Sequence, residues 1–333
     1  MGKRKFGILQ IGVVAVLLAA AFGAMALQRA IQPTALGEPF YVRYDAATPV
    51  AIVLADLEKR GVVRSARAMA LYATLRRKGD VVRSGTYELK GGMLPDPILA
   101  ALRKPVRQMV RMPETNWSSR SANILEQKGV TTAAEYNAAV KDPARFQDAV
   151  SFPLPKNSLE GYLYPDTYDF PPMLGADGVI RRQLKNFEKR VWEGLKQPKN
   201  LHDVLTKASL VELEVARDDE RPVVAGVIEN RLRIGMRLQI DAAVLFGMQK
   251  WQRLTFKEIR ESDSPYNTYQ NAGLPPGPIC SPSVKSIEGV LAPAKHDYLY
   301  YVALPTGQHM FSATYDEHLA NIQRRKKALA EKK

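Results

Sequence analysis

Residues 209–220 read SLVELEVARDDE, and this stretch ends one predicted helix just before another begins. Asn200 or Asp203 is suited to cap the first helix, which we predict to run to about Ala216. The following segment, VVAGVIENRLRIG, predicts a second helix that ends in a glycine cap at Gly235. Segments with strand-like and helix-like patterns lie on both sides of this pair, so the sequence predicts a mixed α+β fold.

The two glutamates of this stretch differ by about 200° around a helix axis, so they face different surroundings. Glu212 has small, mostly apolar neighbours one turn away, where a ligand can approach and where desolvation raises the pKa of a carboxyl group. Glu212 is therefore the candidate proton donor, although a buried glutamate satisfied by a backbone or arginine partner is an equally good interpretation. Glu214 is predicted to form an exposed ion pair with Arg217, and residues 218–220 a solvated turn.

Further polar residues follow the second helix. The segment MRLQIDAAVLFG predicts a strand and turn that carry Gln239 and Asp241. SPYNTY (264–269) and GLPPGPI (273–279) predict a loop stiffened by prolines that can form one wall of a cleft. DYLYYVAL and QHMFSAT then predict an antiparallel strand pair, and a basic helix closes the chain.

The N-terminal segment predicts a membrane anchor. Residues 6–27 are almost entirely apolar, and about 20 such residues are needed to cross a bilayer. Lys3, Arg4 and Lys5 precede this segment, so the N-terminus is expected in the cytoplasm and the body of the protein outside it. A cleaved signal peptide is the alternative, because Ala24-Met25-Ala26 (24–26) fits the cleavage pattern of small residues.

Between the anchor and the two central helices the chain changes character. Residues 39–105 predict a small strand-helix-helix-strand unit that core formation explains fully. SLEGYLYPDTYDF (158–170) is dense in aromatic and acidic residues around Glu160, which suits a platform that stacks on sugars. A Pro-Asp turn between strands, with the tyrosines in the core, explains the same pattern equally well.

Several classes of function lack sequence support. The net charge of +14 is concentrated at the two ends of the chain, and no basic stripe with interleaved aromatic residues is present, so no nucleic-acid partner is expected. The four histidines lack the spacing of metal ligands, and no nucleotide or serine-hydrolase motif occurs, so neither a metal nor a cofactor is expected. Cys280, the single cysteine, is predicted to be a small buried residue.

Five linked motifs carry a resemblance to a known family: SLEGYLYPDTY, ASLVELE, ENRLRIGMRLQID, YNTY and GLPPGPI. In this order and spacing they resemble the YceG-like, or MltG-type, endolytic murein transglycosylases. The chain departs from the family where it reads QIDAAV in place of QTDPTV, and PETNW in place of a turn with the pattern E-G-x-T. The resemblance places the family's catalytic glutamate, the first of the E-x-E pair, on Glu212.

The resemblance implies a single-pass inner-membrane enzyme with its N-terminus in the cytoplasm and its catalytic body in the periplasm. It would cleave MurNAc–GlcNAc bonds of nascent peptidoglycan to leave 1,6-anhydro-MurNAc ends and so limit glycan strand length, alongside peptidoglycan synthases and division proteins. The implied regions are an anchor (1–29), a linker (30–38), a LysM-like module (39–105), a connecting region (106–155), a larger mixed α+β catalytic domain (156–325) and a basic tail (326–333).

The reaction needs one proton-transferring carboxyl group, because the C6 hydroxyl of the substrate replaces the second carboxylate that ordinary glycosidases use. Polarity and motif membership suggest six substrate-binding residues: Glu160, Asn230, Gln239, Asp241, Tyr266 and Asn267. Two alternatives remain open at this point. One is a non-catalytic peptidoglycan-binding or division scaffold, and the other is a true hydrolase that leaves reducing ends.

Overall fold

The structure of the chain is a computed structural model that describes residues 2–77, 79–114 and 117–331. In the first helix the side chains are described from Val13 onward, and in the last helix they are described up to Ala330. The contacts between residues divide the chain into two compact units. The first unit runs to Gln108 and includes Phe170–Leu174, and the second comprises Met109–Asp169 and the chain from Gly175 onward.

The first unit begins with the apolar helix α1 (Gly2–Ala30). Within it, Val13–Ala30 has a mean hydropathy of 1.8 and no buried part, so α1 is long and apolar enough to cross a membrane. No other helix in the described parts of the chain meets these criteria. This is compatible with the predicted anchor, while the three basic side chains at residues 3–5, on which the predicted orientation depends, lie outside the described side chains.

The rest of the first unit confirms the predicted order of strand, helix, helix and strand. Its elements are β1 (Phe40–Tyr44), β2 (Thr48–Pro49), α2 (Val50–Lys59), α3 (Ala66–Leu75), β3 (Val81–Val82), β4 (Gly85–Leu89) and α4 (Pro95–Ala101). β1 pairs antiparallel with β4, with Val42 opposite Tyr87, and β2 pairs with β3. α2 and α3 contribute Leu54 and Met69 to the buried core beneath β1 and β4, so apolar burial stabilises this unit.

The second unit is mainly helical and carries two antiparallel strand pairs, β5 with β6 and β7 with β8. Its elements are β5 (Met109–Met112), α5 (Ser118–Gln127), α6 (Ala133–Val140), β6 (Asp166–Asp169), α7 (Gly175–Phe187), α8 (Leu201–Glu214), α9 (Arg221–Arg233), α10 (Asp241–Gly247), α11 (Phe256–Glu261), α12 (Val284–Leu291), β7 (Tyr300–Ala303), β8 (His309–Ser312) and α13 (Tyr315–Glu331). The mixed α+β class predicted from the sequence is confirmed, as is the closing antiparallel pair.

Three helices, α8, α9 and α12, pack against one another at the centre of this unit. Their contact faces are apolar and fully buried, as Val211, Ile228 and Ile287 show. A Cβ atom at Gly226 in α9 would lie only 2.4 Å from the carbonyl oxygen of Ala294, so no other residue permits this close packing. This packing fixes the C-terminal turn of α8, where the two glutamates lie.

The segment 236–247, predicted as a strand and turn, contains no strand: residues 236–240 have no regular structure, and Asp241–Gly247 form the helix α10. Its residues Ala242–Phe246 are all buried, with apolar side chains at successive positions. A short, continuously apolar run fits a buried helix as well as a strand, and periodicity alone does not separate the two. The prediction was wrong here, and Asp241 lies in the first turn of a helix, where a negative charge is favourable.

Candidate active site

Glu212 and Glu214 lie on opposite sides of the last turn of α8, as their spacing predicts. The side chain of Glu212 is buried, and its Oε2 atom has partners from two other parts of the chain. Its side chain is only 6% exposed. Glu212 Oε2 accepts hydrogen bonds from the Ser283 backbone N–H at 2.9 Å and from the Ser283 hydroxyl at 2.7 Å. The guanidinium of Arg221 lies 3.2 Å from the same oxygen.

The partners of Glu212 are themselves part of a closed polar network. Arg221 donates to the Asp218 carboxylate at 3.0 Å and also bonds the hydroxyl of Ser286. Ser283 caps the N-terminus of α12, because its hydroxyl accepts the backbone N–H of Ser286. Glu212 therefore ties α8 to α9 and α12, which is the buried, satisfied arrangement that the sequence left open as an alternative to catalysis.

Glu214 has a different environment from the exposed ion pair that was predicted. Its carboxylate accepts a hydrogen bond of 2.9 Å from the hydroxyl of Tyr301, while Arg217 pairs with Asp219. Burial raises the pKa of Glu214 above its ordinary value, and the Tyr301 hydrogen bond partly opposes this rise. Glu214 also lines a cleft of about 440 Å³, so it is both desolvated and open to a ligand.

The walls of this cleft are rich in tyrosines and polar groups. Its lining residues include Arg231, Gln239, Asp241, Tyr269, Tyr300, Tyr301, His309, Tyr315, His318 and Arg325. Tyr269 donates a hydrogen bond of 2.5 Å to Asp241, and Gln239 adopts a left-handed backbone conformation with a φ of 53°. Aromatic faces beside fixed polar groups suit a ring that carries hydroxyl groups.

A buried, hydrogen-bonded pair of Glu220 and His309 supports the same wall of the cleft. Glu220, predicted to lie in a solvated turn, is instead 8% exposed and accepts hydrogen bonds from the backbone N–H and the Nδ1 of His309, at 2.9 and 2.7 Å. A carboxylate can only accept, so Nδ1 carries a proton. The edge of the His309 ring packs against Tyr301, whose hydroxyl bonds Glu214. Glu220 thus helps to position the partner of Glu214.

Of the six predicted substrate-binding residues, the structure brings only Gln239 and Asp241 to this cleft. Glu160 and Tyr266 line a second cavity of about 220 Å³ in the same unit. The amide of Asn230 donates to the carbonyl oxygens of His296 and Tyr298, at 2.7 and 3.1 Å. Asn267 is fully buried, and its amide donates to the backbone carbonyls of Ile259 and Ser262 at the C-terminal end of α11.

Other predictions have clear outcomes in the structure. Tyr162, Tyr168 and Phe170 are buried, so they form core rather than an exposed platform, and Asp166–Asp169 is a strand. Cys280 is buried and unpaired, as predicted, and burial raises the pKa of its thiol. The divergent PETNW turn includes Thr115 and Asn116, which lie outside the described residues.

Sequence reasoning missed four important cleft residues: Arg231, Tyr269, Tyr301 and His309. Arg231 and Tyr269 belong to the motifs ENRLRIG and YNTY, and their membership of these motifs was a usable signal. Tyr301 was visible only as part of a predicted strand, and its contact with Glu214 spans 87 residues of sequence. A carboxyl group with a raised pKa in an aromatic, polar cleft is typical of enzymes that cleave glycosidic bonds by proton transfer.

Comparisons with known proteins agree with this class. The model of the YceG-like family matches residues 42–324. A Bacillus subtilis (strain 168) protein named endolytic murein transglycosylase is 31% identical over 297 residues, covering 83% of this chain and 82% of the relative. A Streptococcus pneumoniae (strain D39) protein of the same name is 32% identical over 301 residues, and the match covers 80% of this chain and 54% of that longer relative.

A solved structure supports the same assignment. The 2.6 Å crystal structure of a yceG-like protein from Listeria monocytogenes has a TM-score of 0.57 and 31% identity, with 85% of this chain and 99% of that chain covered. The chain belongs to the YceG-like family. This confirms the family predicted from the sequence and, with it, the predicted class of enzyme.

Proposed function

We propose that the chain is a membrane-anchored endolytic transglycosylase that cleaves MurNAc–GlcNAc bonds in peptidoglycan, with Glu214 as its proton-transferring group. The observation that carries this proposal is the contrast at the end of α8. Glu214 lines the cleft with a desolvated carboxyl group, whereas the Oε2 atom of Glu212 is engaged by Arg221 and Ser283. The names of the relatives support the substrate and the reaction.

In the proposed reaction, protonated Glu214 first donates its proton to the oxygen between MurNAc and GlcNAc, and the bond from C1 of MurNAc to that oxygen breaks. The Glu214 carboxylate then accepts the proton of the MurNAc C6 hydroxyl as the C6 oxygen bonds to C1. The products are a GlcNAc hydroxyl and a 1,6-anhydro-MurNAc end. The carboxyl group is protonated again at the end, so no water is consumed.

The supporting groups of the cleft have roles in this scheme. The Tyr301 hydroxyl stabilises the Glu214 carboxylate after the first proton transfer, because it donates a hydrogen bond to the charged form. Gln239 and Asp241 are placed to bind sugar hydroxyls, and Tyr300 offers an aromatic ring to a pyranose face. Glu212 as the catalytic acid, predicted from the resemblance, stays a prediction that the same experiment tests.

We further propose that α1 anchors the protein in the inner membrane with the catalytic unit in the periplasm, where the enzyme would limit glycan strand length. The length and hydropathy of α1 support the anchor. The antiparallel pairing of β1 and β4 around α2 and α3 supports a LysM-like, glycan-binding role for residues 39–105. Contacts with peptidoglycan synthases and division proteins stay a prediction.

Isolated murein sacculi, digested with the full chain in detergent, test the proposal through the product ends identified by mass spectrometry. We expect 1,6-anhydro-MurNAc ends from the wild type and almost none from Glu214→Gln. Loss of activity in a folded Glu212→Gln variant, with Glu214→Gln active, would reassign the acid to Glu212. Reducing ends would indicate a hydrolase, and binding to sacculi without any cleavage would indicate a scaffold.

A further inference from the structure

The second cavity, which Glu160 and Tyr266 line, is separate from the Glu214 cleft, and the two share no lining residue among those described. Its volume is about 220 Å³. Residues 155–158 and the segment Pro276–Pro278 form its other walls, and His202 lies between them. The cavity therefore combines apolar proline surfaces with a buried carboxyl group, so it offers both apolar contact and a hydrogen-bond acceptor to a ligand.

The carboxyl group of Glu160 is buried but retains capacity to bind a ligand. Its Oε2 accepts the backbone N–H of Ser118 at 2.9 Å and the Ser118 hydroxyl at 2.7 Å. Oε1 shares only the same N–H, at the longer distance of 3.1 Å, so this oxygen can accept a further hydrogen bond. Burial raises the pKa of Glu160 to about 7, and the hydrogen bonds from Ser118 only partly oppose this rise.

The hydroxyl of Tyr266 is the second polar group of the cavity. The Tyr266 ring packs on Phe246, with 4.8 Å between ring centroids, and this contact fixes its direction. Within the described chain the hydroxyl has no hydrogen-bond partner. A Cβ atom at Gly277 would lie 3.6 Å from this hydroxyl and 3.3 Å from the His202 ring, so glycine leaves the space beside both groups open.

His202 forms a fixed wall of the cavity. A carbonyl oxygen can only accept, so Nε2 donates to the carbonyl of Pro276, at 3.0 Å. Nδ1 shares a hydrogen bond of 3.2 Å with the Tyr162 hydroxyl. Because both ring nitrogens are occupied, His202 adds carbon surface to that of the prolines.

We propose that this cavity binds the acetamido group of an N-acetylhexosamine unit in a glycan strand. An acetamido group has one hydrogen-bond acceptor, one donor and one methyl group. The Tyr266 hydroxyl donates to its carbonyl oxygen, Glu160 Oε1 accepts from its N–H, and Pro276 and Pro278 contact its methyl group. This inference rests on the proposed function, because N-acetylhexosamines are the units of the proposed substrate.

Histidine NMR of the full chain in detergent micelles tests this proposal, because the chain has only four histidines and they report on different sites. His202 lines the second cavity and also a neighbouring cavity of about 620 Å³ that Tyr266 does not line, whereas His309 and His318 line the Glu214 cleft. The Tyr266 variant therefore assigns a shift of the His202 signal to the second cavity. N,N′-diacetylchitobiose is titrated as the probe, and the glucosamine dimer, which lacks the acetyl groups, is the matched control. Assignment of the His202 ring signal comes from His202→Asn.

We expect diacetylchitobiose to shift the His202 signal, while the glucosamine dimer leaves it unmoved. Tyr266→Phe keeps the ring packing and removes only the hydroxyl, so the titration midpoint of the His202 signal should rise roughly tenfold. Tyr298→Phe, which removes an exposed hydroxyl from a residue that lines neither cavity, should leave the midpoint of the His202 signal unchanged. Glu160→Gln should weaken binding of the dimer by a similar factor. If Glu160→Gln does not fold, Tyr266→Phe alone tests the proposal.

Three results would overturn the proposal: no shift of the His202 signal, equal shifts with both dimers, or an unchanged midpoint in Tyr266→Phe. These results are independent of catalysis. If Glu214→Gln abolishes cleavage of sacculi while the His202 signal ignores the probe, the proposed function stands and the second site falls. If Glu214→Gln cleaves normally while Tyr266→Phe weakens binding, the second site stands and the proposed catalytic group falls.

Discussion

The two glutamates at the end of α8 have almost the same sequence position and opposite surroundings. Glu212 meets a guanidinium, a backbone N–H and a hydroxyl, and these partners leave its Oε2 saturated inside the protein. Glu214 meets one tyrosine hydroxyl and an open cleft. Burial alone therefore does not identify a proton-transferring carboxyl group. Access to a cavity separates the two candidates, because Glu214 also has a cationic neighbour: the charge of Arg231 in the same cleft opposes the rise of its pKa.

The largest effect is expected when each carboxyl group in turn is replaced by an amide, which cannot transfer a proton. Glu214→Gln should lower the rate of strand cleavage by about 10²–10⁴-fold, because general acid catalysis contributes on that order. Glu212→Gln should leave a folded protein with measurable activity. Cleavage rates of both variants on sacculi, with folding checked by circular dichroism, measure the difference. Equal losses in two folded variants would remove the distinction between the carboxyl groups.

The second test measures stability rather than rate. Glu212→Ala removes one of the two carboxylates that pair with the buried Arg221 and leaves only Asp218, which should lower the free energy of unfolding by about 1–3 kcal/mol. The double variant Glu212→Ala/Arg221→Ala should lose less than the sum of the single losses, since the buried guanidinium is then absent. Denaturant unfolding measures all three variants. Asp219→Ala, in an exposed pair with Arg217, is the control and should leave unfolding unchanged.

Glu160 is a third buried carboxyl group that can be compared with Glu212. It is as buried as Glu212, but its carboxyl group accepts hydrogen bonds from Ser118 and forms no ion pair among the described residues. Its pKa in the folded protein is about 7 against an ordinary 4.5, so the folded state favours its neutral form. The contribution of the raised Glu160 pKa to the free energy of unfolding is fully present below pH 4.5 and is lost as the pH rises to about 7. This change in the free energy of unfolding is about 3 kcal/mol. Glu160→Gln should unfold with a smaller loss of stability over this range. Parallel pH profiles of wild type and variant would contradict the assignment.

The smallest expected effect concerns the partner of Glu214. Tyr301→Phe removes a hydrogen bond that lowers the pKa of Glu214, so that pKa should rise further. The protonated form would then persist to higher pH, and the alkaline limb of the profile of kcat/KM should move upward. We expect a rate loss of roughly fivefold, about 1 kcal/mol, at neutral pH. A merely structural role for Tyr301 would lower the rate without moving this limb.

Local patterns predicted much of this molecule. The apolar helix, the strand-helix-helix-strand order and the closing strand pair all follow from runs and periodicities within one segment. The helical spacing also predicted that Glu212 and Glu214 face apart. Their roles did not follow, because Ser283 and Tyr301 reach them across 71 and 87 residues of sequence. No local pattern indicates which carboxyl group a distant partner will neutralise.

The loop residues illustrate the same limit. Asn230 and Asn267 are polar residues of specific motifs, yet both amides serve backbone carbonyls that only the folded chain brings near. Gln239 and Asp241 line the cleft, although their segment was predicted as a strand and turn, and their binding of substrate stays a prediction. Motif membership thus located the important region, and the tertiary contacts decided the task of each residue.

The position of His202 and Glu214 near the two ends of one helix, α8, has a consequence for the products. His202 and Glu214 lie twelve positions apart on one helix, so their backbone separation is constant at about 18 Å. A polymer gripped beside His202 and cut beside Glu214 would be severed at a fixed number of sugars from the gripped unit. Fragment sizes would then cluster in steps instead of spreading evenly, and α8 would serve as a molecular gauge of length.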